Sequence, residues 1–477
     1  MSIRGKVVRG IKWTTISTIS LTLANLIKIS VLARLLDKTD FGLMALVTFV
    51  LGFMNLFMDL GLSTAILHRQ NISKEEYSSL FWTNILSGLF LFIVIILISP
   101  IIGGFYDEPE LLKLIPLMSL SIIIAAAGRQ FKTIEQKRLN FRFIAFTDIS
   151  GSVIGIITGI LLAIQGAGVY SLVWGSLVHY LVSNGILFIN GLRINKPMFH
   201  YCFSETKPFL KIGIFQIGGQ MVNYFNRDLD VLLIGKLFGT DALGGYSLAK
   251  QFARRPMQII NPIIIRVASS VFPRYQNNDT KLRHIITDLL KSLGSIYALI
   301  YGVIAILSPY LVQIFFGKEL ISITIYVQLF CVVQYFRSFG NSAGIIVITK
   351  GRTDYDFYWN ILVTFIMPVA VLLGSRFSIE FVIIMLGAVQ LILLIPAWYI
   401  FYYKLVKLNL KQYLKASLIP IGISVMVFGL NGVLTSRDLY LEIFSCLFTT
   451  LLIGYYSYRN INEFKMFADR IIFKIRN

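Results

Sequence analysis

Of 477 residues, 56% are hydrophobic and 14% charged, with a mean hydropathy of +0.73; an ordinary soluble domain has about a quarter of its residues charged. Those values exclude a soluble enzyme or binding domain and describe a polytopic membrane protein. Lys plus Arg number 44 against 24 Asp plus Glu, a net charge of +20; the cations lie between apolar segments, not in one compact run, so no nucleic-acid partner is expected.

The first apolar segment, Ile11–Leu36, follows a basic start and contains Lys28. It is too long for a signal-peptide core and lacks a small-x-small cleavage site, so it reads as a retained helix. A span needs roughly 20 apolar residues, and the chain supplies about fourteen such stretches. After Ile11–Leu36 come Phe41–Leu67, Leu80–Phe105, Leu112–Ile134, Phe141–Ile164 and Val169–Leu192. Then follow Phe209–Ile234, Ala242–Phe272, Ile285–Phe315, Ile321–Ile348, Tyr355–Gly374 and Ile379–Tyr403, and last Tyr413–Leu434 and Leu439–Tyr458.

Alternate connections are basic, among them those with Lys137, Arg138 and Arg142, with Arg193, Lys196 and Lys207, and with Lys404, Lys407 and Lys411. The others carry at most about one cation each, such as Lys38, Lys113, Lys236 or Lys318, which places both termini in the cytoplasm. Connections this short leave no room for a separate catalytic domain. There is no phosphate-cradling loop, no HExxH and no GxSxG, and Cys202, Cys331 and Cys446 are too far apart for a disulfide framework or a metal site. No cofactor is expected.

Two stretches resemble one another. Leu35–Leu46 (LLDKTDFGLMAL) matches Leu237–Leu248 (LFGTDALGGYSL), with Leu35, Gly42 and Leu46 met by identical residues. Ser99 and Pro100 are echoed by Ser308 and Pro309 in the same order, six spans later. The expected architecture is therefore all-α, with two six-helix lobes of like orientation (1–200 and 201–408) and an accessory pair of helices with a basic tail (409–477). Parallel repeats of this kind are related by an axis along the membrane normal, with the substrate between them.

In Leu32–Leu36 (LARLL) with Asp40–Gly42, Asp59–Leu62 (DLGL), Leu139–Phe141, Leu229–Gly235 (LDVLLIG), Leu243–Ala249 (LGGYSLA) and Val271–Pro273 (VFP), the chain resembles the polysaccharide transporters. These are the Wzx-type flippases of the MOP superfamily, whose wider membership includes lipid II flippases and MATE drug exporters. The resemblance implies MATE-like lobes in the bacterial inner membrane. It implies transport of an undecaprenyl-pyrophosphate-linked oligosaccharide from the cytoplasmic to the periplasmic leaflet by alternating access, without covalent chemistry. A cationic cavity is implied, with a polysaccharide polymerase and a chain-length regulator as partners besides membrane lipid.

Charges at membrane depth are costly and point to function. Lys250, Arg254 and Arg255, just before Pro256, and Lys28 are expected to hold the pyrophosphate, with Arg129 and Arg337 extending the cationic lining; the bland alternative is snorkelling or ion pairing. Arg34, Asp59, Arg227 and Asp230 are read as gating or ion-coupling residues, Arg227 sharing a helical face with Asp230 and not with Asp228. His68 and His179 read as hydrogen-bonded structural residues. Rival functions are a membrane polysaccharide polymerase or ligase, which would call for a sizeable outer loop, a MATE-type antiporter, for which excess intramembrane carboxylates are expected, and a scaffold.

Overall fold

The computed structural model describes residues 3–58, 61–69, 71–433 and 439–461. Nearly every residue of these is helical, as hydrocarbon requires of a backbone that must satisfy its own hydrogen bonds. In order they are α1 (Ile3–Leu32), α2 (Lys38–Met58), α3 (Leu62–His68), α4 (Lys74–Tyr106), α5 (Leu111–Lys137), α6 (Phe141–Ile164), α7 (Val169–Ile194) and α8 (Phe203–Val271). Then come α9 (Asp279–Phe316), α10 (Thr324–Ser338), α11 (Gly340–Lys350), α12 (Thr353–Gly374), α13 (Ile379–Ala397), the single turn α14 (Lys404–Val406), α15 (Leu410–Val433) and α16 (Leu439–Asn460). Among the described residues, 11 helices are long and apolar enough to cross a membrane. Their outward faces carry large apolar side chains such as Leu97, Ile101 and Phe365, each at least 68% exposed, as a lipid-facing surface does.

Several boundaries differ from the sequence expectation. The stretch Phe41–Leu67 is two helices, α2 and α3, with Gly61 at φ 70° before the second. Ile321–Ile348 divides into α10 and α11. The two stretches within Phe203–Val271 form one run whose backbone leaves helical geometry at Gly239 (φ 79°, ψ 177°), while the helix continues through Pro256. Helices also start earlier than their apolar cores because polar caps carry them into the rim. Ser73 and Glu76 form a reciprocal capping box on α4, and the Asn278 side chain accepts from the Lys281 amide on α9.

The chain divides into two compact units, Met1–Ser247 and Leu248–Asn477. In the first, α6 and α7 meet backbone to backbone along a seam of small residues: a Cβ on Gly155 would lie 2.4 Å from the Gly175 carbonyl, and one on Gly151 2.7 Å from that of His179. The two copies of the repeated motif also touch inside this unit, and reciprocally. A Cβ on Gly42 would stand 1.9 Å from the Thr240 carbonyl oxygen, and one on Gly244 1.8 Å from that of Lys38; Lys38 and Thr240 are matched positions of the repeat, as are Gly42 and Gly244. Around this contact Lys236 pairs with Asp107 at 3.0 Å, and the Thr240 hydroxyl donates to Glu108 at 2.7 Å.

The second echo is also structural. Pro100 and Pro309 lie inside α4 and α9, and each frees the carbonyl four residues earlier from its helical partner. The preceding serine supplies a donor in both cases: Ser99 Oγ donates to the Ile96 carbonyl at 2.9 Å, and Ser308 Oγ to that of Ala305 at 2.8 Å. In the second unit α9 is the central post. Gly294 lets the Ala416 carbonyl of α15 approach, and Ser424 donates to the Ala298 carbonyl at 2.8 Å, so α15 docks on α9 through backbone contacts.

At the basic end of the first unit, the connector between α7 and α8 is fastened to α4. Ser78 Oγ accepts from the Met198 amide, Ser79 Oγ accepts from the Cys202 amide and donates to Glu205, and Trp82 donates to the Met198 carbonyl. The Ser79 hydroxyl at 2.6 Å, together with His200 at 3.0 Å, holds the Glu205 carboxyl below the usual glutamate range. A lowered folded value means that the stabilisation is complete above the unfolded glutamate pKa of about 4.3 and is lost as pH falls through the folded value. Glu205→Gln should therefore lower Tm at about pH 7, and the two proteins should converge at about pH 3. A difference that is constant with pH would show that the carboxylate charge is not what fastens the connector.

Candidate functional site

The first unit gathers charged and polar side chains from four helices into its otherwise apolar interior. Because α6 and α7 are in backbone contact and α1 packs on α6, Lys28 of α1 reaches across to α7, with Nζ 3.4 Å from Ser176 Oγ. One layer away, Lys132 of α5 pairs with Asp148 of α6, Nζ standing 2.9 Å and 3.0 Å from the two carboxylate oxygens. His179 of α7 lies within electrostatic reach of Asp148, Lys28 and Lys132, and Arg129 of α5 within reach of Tyr180. Among the described residues, Lys28, Arg129 and Lys132 stand near one another with the Asp148 carboxylate, and both ammonium groups are partly desolvated.

In the second unit Lys250 is 4% exposed, and Arg254, Arg255 and Arg337 are half-buried. Arg255 donates from Nη1 to Gln258 at 3.2 Å, while its buried Nε has no hydrogen-bond partner among the described residues. Nearby in sequence, Asn261 accepts from the Tyr297 hydroxyl at 2.6 Å, and Tyr297 stacks on Tyr301 with ring centroids 5.8 Å apart. The Tyr301 hydroxyl and the Gln334 carbonyl oxygen, both on residues 1% exposed, are unpartnered among the described residues. Gln334 and Arg337 share a face of α10 by their spacing of three. A buried donor or acceptor left unmade costs about 1–3 kcal/mol, so a polar group reaching this strip would find atoms to pair with.

Among the described residues, the gating candidates have these neighbours. Arg227 Nε meets Asp228 at 2.6 Å and its guanidinium lies 5.1 Å from the Tyr224 ring. The pairing of neighbours corrects the spacing argument, which set Asp228 aside: the arginine side chain is long enough to fold back along its own helix. Asp230 accepts from the Tyr246 hydroxyl, tying the two arms of α8 together beside Gly239. Arg34 is exposed just past the end of α1, and Asp59 lies outside the described residues. Asp148, Ser176 and the Asn261–Tyr297–Tyr301 strip were not anticipated, and His179 was expected to be structural only. Asp148 is the single carboxylate of the apolar stretch Phe141–Ile164; the cost of an intramembrane charge alone could have marked it.

Residues 31–325 match the sequence profile of a family described as "Polysaccharide biosynthesis protein". Over 432 residues the chain is 29% identical to "Lipopolysaccharide biosynthesis protein WzxC" of Escherichia coli (strain K12), covering 89% of this chain and 87% of the relative. It is also 29% identical, over 442 residues and 90% of each chain, to "Teichuronic acid biosynthesis protein TuaB" of Bacillus subtilis (strain 168). Its fold is similar to the solved structure of "Lipid II flippase MurJ, inward closed conformation", with a TM-score of 0.74 at 15% identity over 94% of this chain and 99% of that one.

Proposed function

Since the chain belongs to the family of polysaccharide biosynthesis proteins, we propose that it is a flippase for a lipid-linked oligosaccharide, with undecaprenyl pyrophosphate as the carrier. The repeat unit of an O-antigen, capsule or exopolysaccharide passes from the cytoplasmic to the outer leaflet of the inner membrane by alternating access. Fourteen spans make two six-helix lobes (1–200 and 201–408) and an accessory pair (409–477), with both termini cytoplasmic. The polymerase and chain-length regulator of the same polymer are its partners, and no covalent step is assigned to it. Names of relatives support the substrate class: one is a lipopolysaccharide and one a teichuronic acid biosynthesis protein, and a protein of similar fold is a lipid II flippase.

The observation that carries this reading is the buried Arg255 Nε, which has no acceptor among the described residues, one residue from Arg254 and about one helical turn from the buried Lys250. A guanidinium nitrogen held out of water needs an acceptor, and pyrophosphate oxygens accept from arginine bidentately. Lys28, whose ammonium stands 3.4 Å from the Ser176 hydroxyl, supplies a second cation for the same kind of headgroup. Flipping of a radiolabelled undecaprenyl-pyrophosphate oligosaccharide in proteoliposomes tests this. The variant K28A/R254A/R255A should flip at least about tenfold more slowly, one decade being the effect of about 1.4 kcal/mol, while keeping the Tm of the parent within a few degrees. Undiminished flipping by the triple variant would remove these residues from the headgroup path. Absence of flipping by the folded parent across several glycans would overturn the flippase reading itself.

A further inference from the structure

The beginning of α15 carries two adjacent ridges that differ in chemistry. Lys411, Lys415 and Ile419 follow one another at intervals of four, and beside them run Leu410, Leu414 and Leu418. Together they line an open groove of about 560 Å³ on the surface of the second unit. Both lysines are exposed and leucines flank them along the helix, so the groove is cationic at one end and apolar beyond it. From Lys411 to Ile419 the helix rises about 12 Å, most of the depth of one leaflet of a bilayer whose hydrocarbon core is about 30 Å thick.

Aromatic residues fix the level of this groove. Lys404 Nζ lies 5.1 Å from the Tyr399 ring and 5.9 Å from that of Tyr355, and Lys407 Nζ lies 5.1 Å from Tyr403. Trp398 donates to the Leu408 carbonyl at 2.9 Å, and the Tyr456 hydroxyl to the Lys415 carbonyl at 3.3 Å. Such a cluster of Trp, Tyr and Lys is the composition of a membrane interface. The lysines thus stand at headgroup level with the leucines below them, towards the hydrocarbon. Residues 462–477 hold Lys465, Arg470, Lys474 and Arg476 against Glu463 and Asp469, and a segment of that net positive charge is repelled by a groove whose charged end is two lysines.

We propose that this groove is a binding site for one anionic phospholipid of the inner leaflet. Its phosphodiester sits between Lys411 and Lys415, and an acyl chain lies along Leu414, Leu418 and Ile419. The charge complementarity and the length of the apolar ridge select this occupant over a zwitterionic lipid, which brings no net charge, and over free phosphate, which has no chain to bury. A lipid held there would brace α15 at the same inner end where it docks on α9 through Ala416 and Gly294.

The test uses the full chain, delipidated in detergent, with short-chain phosphatidylglycerol, short-chain phosphatidylcholine and glycerol phosphate as probes. Native mass spectrometry reads adducts, and thermal unfolding reads the apparent Kd. The parent should bind the phosphatidylglycerol roughly 10- to 30-fold more tightly than the phosphatidylcholine, as expected for two lysines at headgroup level. K411A/K415A should lose that preference, L414N/L418N should weaken both lipids, and glycerol phosphate should give no shift. Equal affinities for the two lipids in the parent, a preference that survives in K411A/K415A, or an equal shift from glycerol phosphate would each overturn the proposal. Both lysines are exposed, so the double alanine variant is expected to fold; L414N/L418N provides an independent reading if it does not.

Discussion

A methyl group added at Gly42 or at Gly244 is expected to lower the Tm of the protein and to open the contact between the two copies of its repeated motif. The clash is with backbone: 1.9 Å to the Thr240 carbonyl oxygen from the first position and 1.8 Å to that of Lys38 from the second. Real Cβ contacts are never so short, and a carbonyl inside a helix cannot swing aside as a side-chain end can. Overpacking of this type costs about 1–3 kcal/mol, and here the strain is relieved by separating the start of α2 from the stretch after Gly239. The Lys236–Asp107 pair and the Thr240–Glu108 hydrogen bond lie on the same rim and would be stretched with it. In a background without Cys202, Cys331 and Cys446, a cysteine at Thr240, which is 6% exposed, should react slowly with a membrane-impermeant maleimide. Labelling should become several times faster once Gly42 is Ala. The two glycine substitutions relieve one strain by one movement, so their costs should add to less than their sum. Gly104, whose Cβ would meet nothing within 4 Å, is the control. Unchanged Tm and labelling in Gly42→Ala and Gly244→Ala would mean that the contact is loose and does not hold the rim shut.

That contact also shows what was legible in the sequence. The similarity of Leu35–Leu46 to Leu237–Leu248 rests on a handful of identities, yet matched glycines and matched carbonyls meet reciprocally in the folded chain. Ser99–Pro100 and Ser308–Pro309 likewise proved to be one solution to one problem, a carbonyl freed by proline and met by the serine before it. Hydropathy located the helices well because hydrocarbon admits few other structures. Helix ends were less legible, since caps such as Ser73 and Asn278 extend a helix beyond its apolar part. Of the candidate site, only the cations were legible. A lone Lys or Arg in an apolar stretch stands out, whereas the partners that decide its role are set by which helices touch. Asp148 comes to Lys132 through packing of α5 on α6, and Ser176 to Lys28 because α1 and α7 both pack on α6, and no spacing within one helix announces that. Arg227 shows the opposite error, where a rule about helical faces was stronger than the side chain's own reach.

Removing Asp148 should damage the first unit more than removing Lys132, although the two residues form one ion pair. The asymmetry follows from what each change leaves behind. Asp148→Ala leaves the Lys132 ammonium without its counter-charge, with Lys28 and His179 close enough to feel one another's charge. Lys132→Ala leaves a carboxylate that still has the His179 ring in reach. A fully buried charge stripped of its partner costs about 3–5 kcal/mol, and an exposed pair about 1 kcal/mol or less. At side-chain exposures of 36% and 20%, an intermediate loss of about 1–3 kcal/mol is expected for Asp148→Ala and roughly half of that for Lys132→Ala. The double alanine variant should recover part of the loss, because neither charge is then left alone, giving a coupling of at least about 1 kcal/mol in a double-mutant cycle. Flipping separates stability from function. If the Lys132 charge serves the headgroup, Lys132→Ala should slow flipping even where the fold holds, and Lys132→Arg should restore it. If the pair only cements α5 to α6, the double variant should flip as its stability allows and Arg should rescue nothing further. A cycle that is additive within about 0.3 kcal/mol would dispose of both accounts, since it would mean that Lys132 and Asp148 do not interact in the membrane at all.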